Sequence, residues 1–439
     1  MTPRSPSNPA NSGPSTALLT DHYELTMLEA ALRSGAASRR CVFEVFARRL
    51  PDGRRYGVVA GTGRLLDALP QFRYDDELLA ALRADGAVDE ATCEWLAEHR
   101  FAGQVTGYPE GELFFPGSPV LTVEGTFAEC VLLETLALSV LNHDSAVASA
   151  AARMTVAAGE RPCIEMGSRR THEEAAVAAA RASYLAGFAT TSNLAAGRRY
   201  GVPTAGTAAH AWTLLHEKEA DAFRAQVDAL GPGTTLLVDT YDIAEGIRSA
   251  VEVAGPGLGA VRIDSGDLAV LAHQAREQLD GLGATGTRIL LSGDLDEYGL
   301  AALATAPVDA YGVGTSVVTG SGAPTAGFVY KLVEVEGRPV AKRSEDKVTR
   351  GGRKTAVRRH RASGTATEEV VRPGSAPAPQ SGDRALQVAM VRDGRRLPGP
   401  TLDESRAHLR SVLTTLPWQG LALSRGEPAI PTTYEEPSA

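Results

Sequence analysis

TTLLVDT (234–240), followed by GAVRIDS (259–265), RILLSGD (288–294) and VDAYGVGTS (308–316), decides the architecture. Each is a short, nearly continuous apolar run, as expected of a strand covered on both faces. The segments between them have the Ala-rich, Glu- and Arg-bearing texture of helices, and strands that return through helices pair in parallel. Working upstream, RPCIEMG (161–167), YLAGFATTS (184–192) and VPTAGTA (202–208) extend the series to seven candidate strands. Seven such units within about 155 residues imply an irregular parallel α/β barrel, compact or incomplete. A doubly wound open sheet is the alternative, and periodicity alone does not separate the two.

Outside this series the texture changes. The Ser/Pro/Asn-rich residues 1–16 read as a disordered tail, with structure beginning near Ala17. Asp21 followed by Glu24 predicts a capping box for an amphipathic helix carrying Leu25, Leu28, Ala31 and Leu32 and ending at Gly35. CVFEVFARRL (41–50), QVTGY (104–108), GELFFP (111–116) and PVLTVEG (119–125) suggest a small sheet. The stretch 128–158, free of Gly and Pro, predicts one long helix or two. Beyond the barrel, FVYKLVEVEG and RPVAKRSEDK read as a hairpin around Gly337, residues 361–383 as a mobile loop, and 402–417 as a final amphipathic helix before a frayed end. The chain therefore divides into an N-terminal α/β domain over 17–158, a barrel over 159–326 and a C-terminal return over 327–432.

Composition narrows the function. The 439 residues are 43% apolar and 22% charged, an ordinary globular balance. Against 53 acidic residues stand 44 basic ones, a net charge of −9 and the wrong sign for binding a nucleic-acid backbone. No run of about 18 apolar residues occurs, so no membrane span is expected. Cys41, Cys93, Cys130 and Cys163 lie far apart with no C-x-x-C pair, which reads as buried reduced thiols in a cytoplasmic protein.

The polar residues gather at one end of the strands. Glu165, Gly167, Ser168 and Arg169, then Thr191 and Ser192, Thr207 and His210, Asp239 and Thr240, Asp264, Ser265 and Asp267, Ser292 and Gly293, and Gly312, Gly314 and Thr315 all follow apolar runs. In parallel α/β folds the ligand sits at the C-terminal ends of the strands. Turn chemistry accounts for any one of these groups; seven together point to an active site. Asp239 and the Asp264–Asp267 group suit Mg²⁺ held jointly with substrate phosphates, or the hydroxyls of a ribose. Gly314 and Thr315 suit a phosphate, Arg169 and Arg170 a carboxylate or phosphate, and His210 a base, donor or nucleophile. Only five lysines accompany 39 arginines, and Lys331, Lys342, Lys347 and Lys354 cluster, which suggests phosphate binding by the hairpin; a solvated basic strand is the alternative.

With these segments assembled, the chain resembles the nicotinate phosphoribosyltransferase family over roughly residues 17–355. The motifs are TDHYELTM, LNHDSAVAS, EMGSRRTHE, GFATTSN, GTAAH, LVDTYD, VRIDSGDL, LSGDLDE, YGVGTS and KLVE…KRSEDK, in order. The resemblance implies an irregular barrel plus a smaller α/β domain built from both chain ends. It implies that nicotinate and phosphoribosyl pyrophosphate give nicotinate mononucleotide and pyrophosphate in NAD salvage. ATP hydrolysis would be coupled through a phosphohistidine, which falls on His210. By the same matching Arg169 binds the nicotinate carboxylate, and Tyr23 stacks on the ring in a neighbouring subunit, which requires at least a homodimer. Asp239, Arg262, Asp264 and Ser265 fall on the ribose, pyrophosphate and Mg²⁺ positions, with Asp239 and Asp264 as metal ligands and His210, Asp239 and Asp264 as the catalytic set; Thr191 is a further substrate-binding residue. Gly293, Gly314 and Thr315 fall on the 5′-phosphate site. A nicotinamide-using relative and a catalytically silent ligand-binding paralogue are the competing readings.

Overall fold

The computed structural model describes residues 14–342, 350–374 and 380–435. The chain divides into two compact units, Ala146–Pro324 and a second one formed by Met1–Ser145 with Thr325–Ala439. The first border falls inside the helix Glu134–Ala158 rather than after it, and the unit built from both chain ends carries the greater share of the residues.

The middle unit is a curled, six-stranded parallel sheet. Across it run Thr190–Thr191, Cys163–Glu165, Ala310–Val313, Arg288–Gly293, Ala260–Ile263 and Thr235–Leu237. All five pairings are parallel, and the last strand in sequence lies beside the first, with Val313 opposite Glu165. That pairing gives a half-barrel instead of an open doubly wound sheet, whose strand order would reverse in the middle. The strands form where both faces are covered: Leu236, Val238, Val261, Ile263, Ile289, Leu291 and Val313 are all buried. Each such side chain contributes about 1.5–3 kcal/mol by leaving water.

Two expected strands differ. Tyr184 and Leu185 end the helix Glu173–Leu185, because its Ala-rich run continues without a breaker until Gly187 turns at φ 114°; only Thr190–Thr191 pairs. Residues 202–208 form no strand and touch the sheet through one bridge, Thr191 to Thr204. Pro203 brings no N–H to a ladder, and Gly206 favours no extended pairing. The sheet thus stays open between Thr190–Thr191 and Thr235–Leu237.

The helix Ile243–Ala254 shows how tightly the wall is packed. Asp242 caps it by accepting from the Glu245 amide. Its face with Ile247, Ala250 and Val251 is buried, following helical spacing. Gly246 on this face lies so close that a Cβ there would sit 2.5 Å from the Val238 carbonyl oxygen, one residue before Asp239.

The other unit contains a seven-stranded antiparallel sheet in which Arg40–Ala47 lies between Leu121–Thr126 and Phe328–Val335, weaving the two chain ends together. Its first helix, His22–Ser34, ends at Gly35 in the left-handed region, but the expected capping box is absent. Glu24 is instead buried, accepting from Thr20 and from the amide and hydroxyl of Thr135. The hairpin turns at Glu336 and Gly337, both at positive φ, as a two-residue primed turn requires. The segment expected as a mobile loop instead contains the strand Ala366–Pro373, paired along Lys354–His360, with Val370 and Val371 buried and Glu369 taken up by Arg358. The supposedly frayed end adds Thr432–Tyr434 to the same sheet. Residues 1–13, most of the expected tail, lie outside the described residues. Phe127–Ala158 is long and apolar enough to pass for a membrane span, yet 67% of its most apolar window is buried, as in a core helix.

Gly246→Ala is expected to destabilise the protein by about 1–3 kcal/mol through backbone overpacking, despite a helix-propensity gain of about 1 kcal/mol. Urea unfolding of the two proteins measures it; an equal or higher midpoint in the variant would refute the close-packing argument.

Candidate active site

Parallel pairing levels the C-terminal strand ends. Ile263 lies opposite Leu291 and Gly293 opposite Val313, so Asp264, Ser292 and Gly293 emerge side by side. The open edge of the sheet lets the segment after Thr204 approach the same end and deliver His210.

His210 Nε2 lies 3.1 Å from Asp239 Oδ1. The Asp239 side chain is 1% exposed, whereas that of His210 is 41% exposed. Asp239 Oδ2 accepts from the Asp264 amide at 2.9 Å and from the Ser265 hydroxyl at 2.7 Å. One buried carboxylate therefore ties the histidine to the neighbouring strand end.

Arg262, one residue inside the strand end, is fixed by three partners. Its Nε donates to Ser292 Oγ at 2.7 Å, Nη1 to Thr207 Oγ1 at 2.9 Å and Nη2 to Asp264 Oδ1 at 2.7 Å. Ser292 also donates to Asp264 Oδ1. Burial alone would raise the Asp264 carboxyl, but the Ser292 hydroxyl and the Arg262 guanidinium outweigh it and hold the group below its ordinary value. Among the described residues, no hydrogen bond reaches Asp264 Oδ2. A guanidinium has five N–H donors, so two remain on Arg262 for an anionic ligand.

At the first strand, Glu165 is buried and accepts from the Gly167 amide and the Thr191 hydroxyl. Burial, opposed by those two bonds, pushes its carboxyl upward. Thr191 Oγ1 also accepts from the Asn193 amide at 3.0 Å, so both roles of this hydroxyl serve the loop itself. Arg169 and Arg170 are exposed at the same end. Gly293 sits at φ 131°, where a Cβ would be 3.0 Å from the Asp264 carbonyl oxygen. Gly314 precedes the short helix Thr315–Val318, and Thr315 is exposed.

The structure thus gathers His210, Asp239, Arg262, Asp264 and Ser265 into one network, with Gly293 beside it. Arg169, Gly314 and Thr315 stand at the ends of adjoining strands. Tyr23 belongs to the other unit, is 43% exposed, and has its hydroxyl pushed up to about 12 by burial and by Glu134. Ser292 and Thr207 prove to be the partners of Arg262, a role their strand-end positions alone did not reveal. Glu219 carried no motif at all: it opens the helix Glu219–Leu230, its Oε1 is buried without a partner among the described residues, and burial near Asp239 and Asp242 pushes it up to about 7.

The lysine cluster dissolves. Lys354 is buried against Glu44 at 2.7 Å, Lys331 faces Glu134 at 3.6 Å, Lys342 is exposed and Lys347 lies outside the described residues. Lys354 opens a strand of the four-stranded sheet and is fastened to Glu44 of the seven-stranded one, its amide donating to Oε1 and its Nζ to Oε2. Among the described residues no group of three or more His, Cys, Asp or Glu side chains is arranged to hold a metal ion. The four cysteines are free and buried.

A carboxylate-anchored histidine and a partly free arginine at the mouth of a parallel half-barrel define a barrel protein built to receive an anionic substrate. Comparison with known proteins then gives the family. Residues 18–142 match the nicotinate phosphoribosyltransferase N-terminal domain model. A nicotinate phosphoribosyltransferase of Mycobacterium tuberculosis is 64% identical over 436 residues, covering 97% of this chain and 96% of the relative. One from Bacillus subtilis is 37% identical, covering 78% and 73%. The crystal structure of human nicotinic acid phosphoribosyltransferase superposes with a TM-score of 0.82 at 27% identity, over 95% of this chain and 98% of that one. That of nicotinate-nucleotide pyrophosphorylase from Pyrococcus furiosus gives 0.77 at 25% identity, over 91% and 95%. The chain belongs to the nicotinate phosphoribosyltransferase family.

Glu219 supplies a pH test. Its folded carboxyl keeps a proton to about 7 while the unfolded chain releases it near 4.5, so wild-type stability falls as pH rises through that window. Glu219→Gln removes this loss. The variant's melting temperature should gain on the wild type between about pH 4.5 and 7 and run parallel above; a difference independent of pH would mean Glu219 titrates normally.

Proposed function

We propose that the chain joins nicotinate to phosphoribosyl pyrophosphate, giving nicotinate mononucleotide and pyrophosphate in cytoplasmic NAD salvage, with ATP hydrolysis coupled through His210. The bond chain from His210 through Asp239 to Asp264 and Ser265 carries this reading. It links a nucleophile to the groups that face a sugar pyrophosphate. The 64% identity to the M. tuberculosis relative supports the substrates.

The roles are those the family resemblance implies, and the geometry supports them. With Nε2 donating to Asp239, the other ring nitrogen keeps its lone pair, on a side chain that is 41% exposed. That nitrogen attacks the γ-phosphorus of ATP, the bond to the ADP oxygen breaks, and water later returns the phosphoryl group as phosphate. In the transfer step the ring nitrogen of nicotinate attacks C1 of the ribose while the bond to pyrophosphate breaks. The two free N–H groups of Arg262 meet the charge growing on pyrophosphate, and Asp264, kept ionised, faces the cationic sugar. Arg169 pairs with the nicotinate carboxylate. Gly293, Gly314 and Thr315 leave room for the 5′-phosphate beside exposed amides and a hydroxyl.

The donor set fits Mg²⁺ that arrives with substrate rather than a protein cage. Both Asp239 oxygens are occupied by His210, Asp264 and Ser265, which leaves Asp264 Oδ2 as the carboxylate oxygen available to it. Magnesium bound through one or two carboxylates plus phosphates neutralises charge on the leaving group. Tyr23, by the family resemblance, completes a neighbouring subunit's site in a homodimer.

Purified protein with Mg²⁺, phosphoribosyl pyrophosphate and either nicotinate or nicotinamide, with and without ATP, should yield nicotinate mononucleotide with ADP release. Mass spectrometry reads the products. His210→Ala should lose ADP release and ATP stimulation; retained stimulation would remove the phosphohistidine. Mixing inactive Tyr23→Ala with ATP-unresponsive His210→Ala protein, followed by subunit exchange, should restore ATP-stimulated activity through hybrid dimers. No restoration would place Tyr23 in its own subunit's site or in none.

A further inference from the structure

The segment leading to His210 is held loosely. Among the described residues, the hydrogen bonds that tie 206–210 to the sheet ends are Arg262 to Thr207 and His210 to Asp239. Gly206 and Ala209 are exposed, and nothing lies within 4 Å of where a Gly206 Cβ would stand. The last backbone bond before this stretch is from the Ala205 amide to Thr191.

Arg262, by contrast, is over-determined. Ser292 in its strand and Asp264 just past the end of the neighbouring one already fix its Nε and Nη2. Two bonds to one rigid wall set the plane of a guanidinium, so the third, to Thr207, is not needed to orient it. The Thr207 hydroxyl accepts from Arg262 while its own hydrogen points to the Ala208 carbonyl at 3.3 Å. It therefore reads the backbone two residues before His210 and reports it to the arginine.

We propose that Thr207 is a positioning residue that transmits the phosphorylation state of His210 to Arg262, coupling ATP use to the grip on phosphoribosyl pyrophosphate. This rests on the reading of His210 given above and extends it to a residue outside the reacting groups. Adding a phosphoryl group to His210 places bulk and negative charge beside Asp239 and displaces the loop. The displacement draws the Thr207 oxygen off Nη1, so that Arg262, still held by Ser292 and Asp264, offers a third free N–H to the pyrophosphate. A second route runs through Asp239 to the Asp264 amide and on to the Asp264 carboxylate that holds Nη2; it does not pass through Thr207, so a change at Thr207 isolates the first route.

The test is the ratio of kcat/KM for phosphoribosyl pyrophosphate measured with ATP to that measured without it. Thr207→Val, nearly isosteric and lacking only the hydroxyl, should bring the ratio at least fivefold closer to one, while phosphorylation of His210, seen by intact-protein mass spectrometry, persists. Thr207→Ser, which keeps the oxygen, should retain the wild-type ratio and guards against a fold defect in the valine variant. If Thr207→Val changes kcat/KM equally in both arms, or Thr207→Ser loses the ratio as well, Thr207 is only a structural prop and the proposal fails. If the wild type itself makes nicotinate mononucleotide with no ATP effect, the reading of His210 falls first, and this proposal with it.

Discussion

The middle unit depends on one pairing: Ala310–Val313, the last strand in sequence, lies against Cys163–Glu165, the first. A sheet whose first and last strands meet must curl, and the strands then converge at one mouth. The pairing is reinforced just before both strands begin. Arg161 donates from Nε to the Val308 carbonyl and from Nη2 to those of Ala304 and Ala306, while the Tyr311 amide reaches Pro162. Closure at this side leaves the opening on the other, between Thr190–Thr191 and Thr235–Leu237, and through that opening the chain brings His210 to the site.

Charge at the mouth is managed by short-range hydrogen bonds rather than by opposed charges alone. Asp239 is buried, a costly place for a carboxylate unless its oxygens are satisfied. His210, the Asp264 amide and Ser265 satisfy them. Asp264 is held ionised by Arg262 and Ser292. Glu219, next in the same neighbourhood, has no such donor among the described residues and holds its proton up to about pH 7. The difference between these carboxyls is one of donors supplied, since all three are at least partly buried.

What the sequence revealed follows from which physics is local. The strands at 235–237, 260–263, 288–293 and 310–313 were legible because a two-sided buried strand needs an apolar run of its own. The stretch 184–192 was not: Tyr184 and Leu185 suit a strand by composition, but the preceding Ala-rich helix propagates through them because nothing stops it before Gly187. VPTAGTA was misread for the converse reason, an extended-looking segment whose Pro203 and Gly206 leave it one bridge. Asp21 and Glu24 have the spacing of a capping box, and only tertiary contact with Thr135 draws Glu24 inward. The site residues His210, Asp239 and Asp264 were visible as polar residues at strand ends. Thr207 and Ser292 stood among them, yet their attachment to Arg262 depends on strand register for Ser292 and on the path of the loop for Thr207, neither of which a single segment encodes. Glu219 was invisible because a glutamate opening a helix is ordinary until its neighbours are known.

The excess of arginine over lysine also has a structural side. Arg262 joins Ser292, Thr207 and Asp264, and Arg276 joins Asp280 with the carbonyls of Thr287 and Ala284. In the other unit the fully buried Arg358 joins Glu112, Glu369 and the Leu113 carbonyl, and Glu112 also takes Arg384 and His408. These contacts hold Glu112 well below the usual carboxylate range despite its burial, and they bind residues far apart in the chain into one core. A planar fork with donors in fixed directions can bridge three acceptors at once, whereas an ammonium on a flexible stem is a point charge. Lys354, the buried lysine, serves Glu44 and the Gly352 carbonyl. Where the fold must fasten a loop, a strand end and a carboxylate together, the residue is arginine; at the mouth the same property fixes Arg262 from three directions and still leaves two donors for substrate.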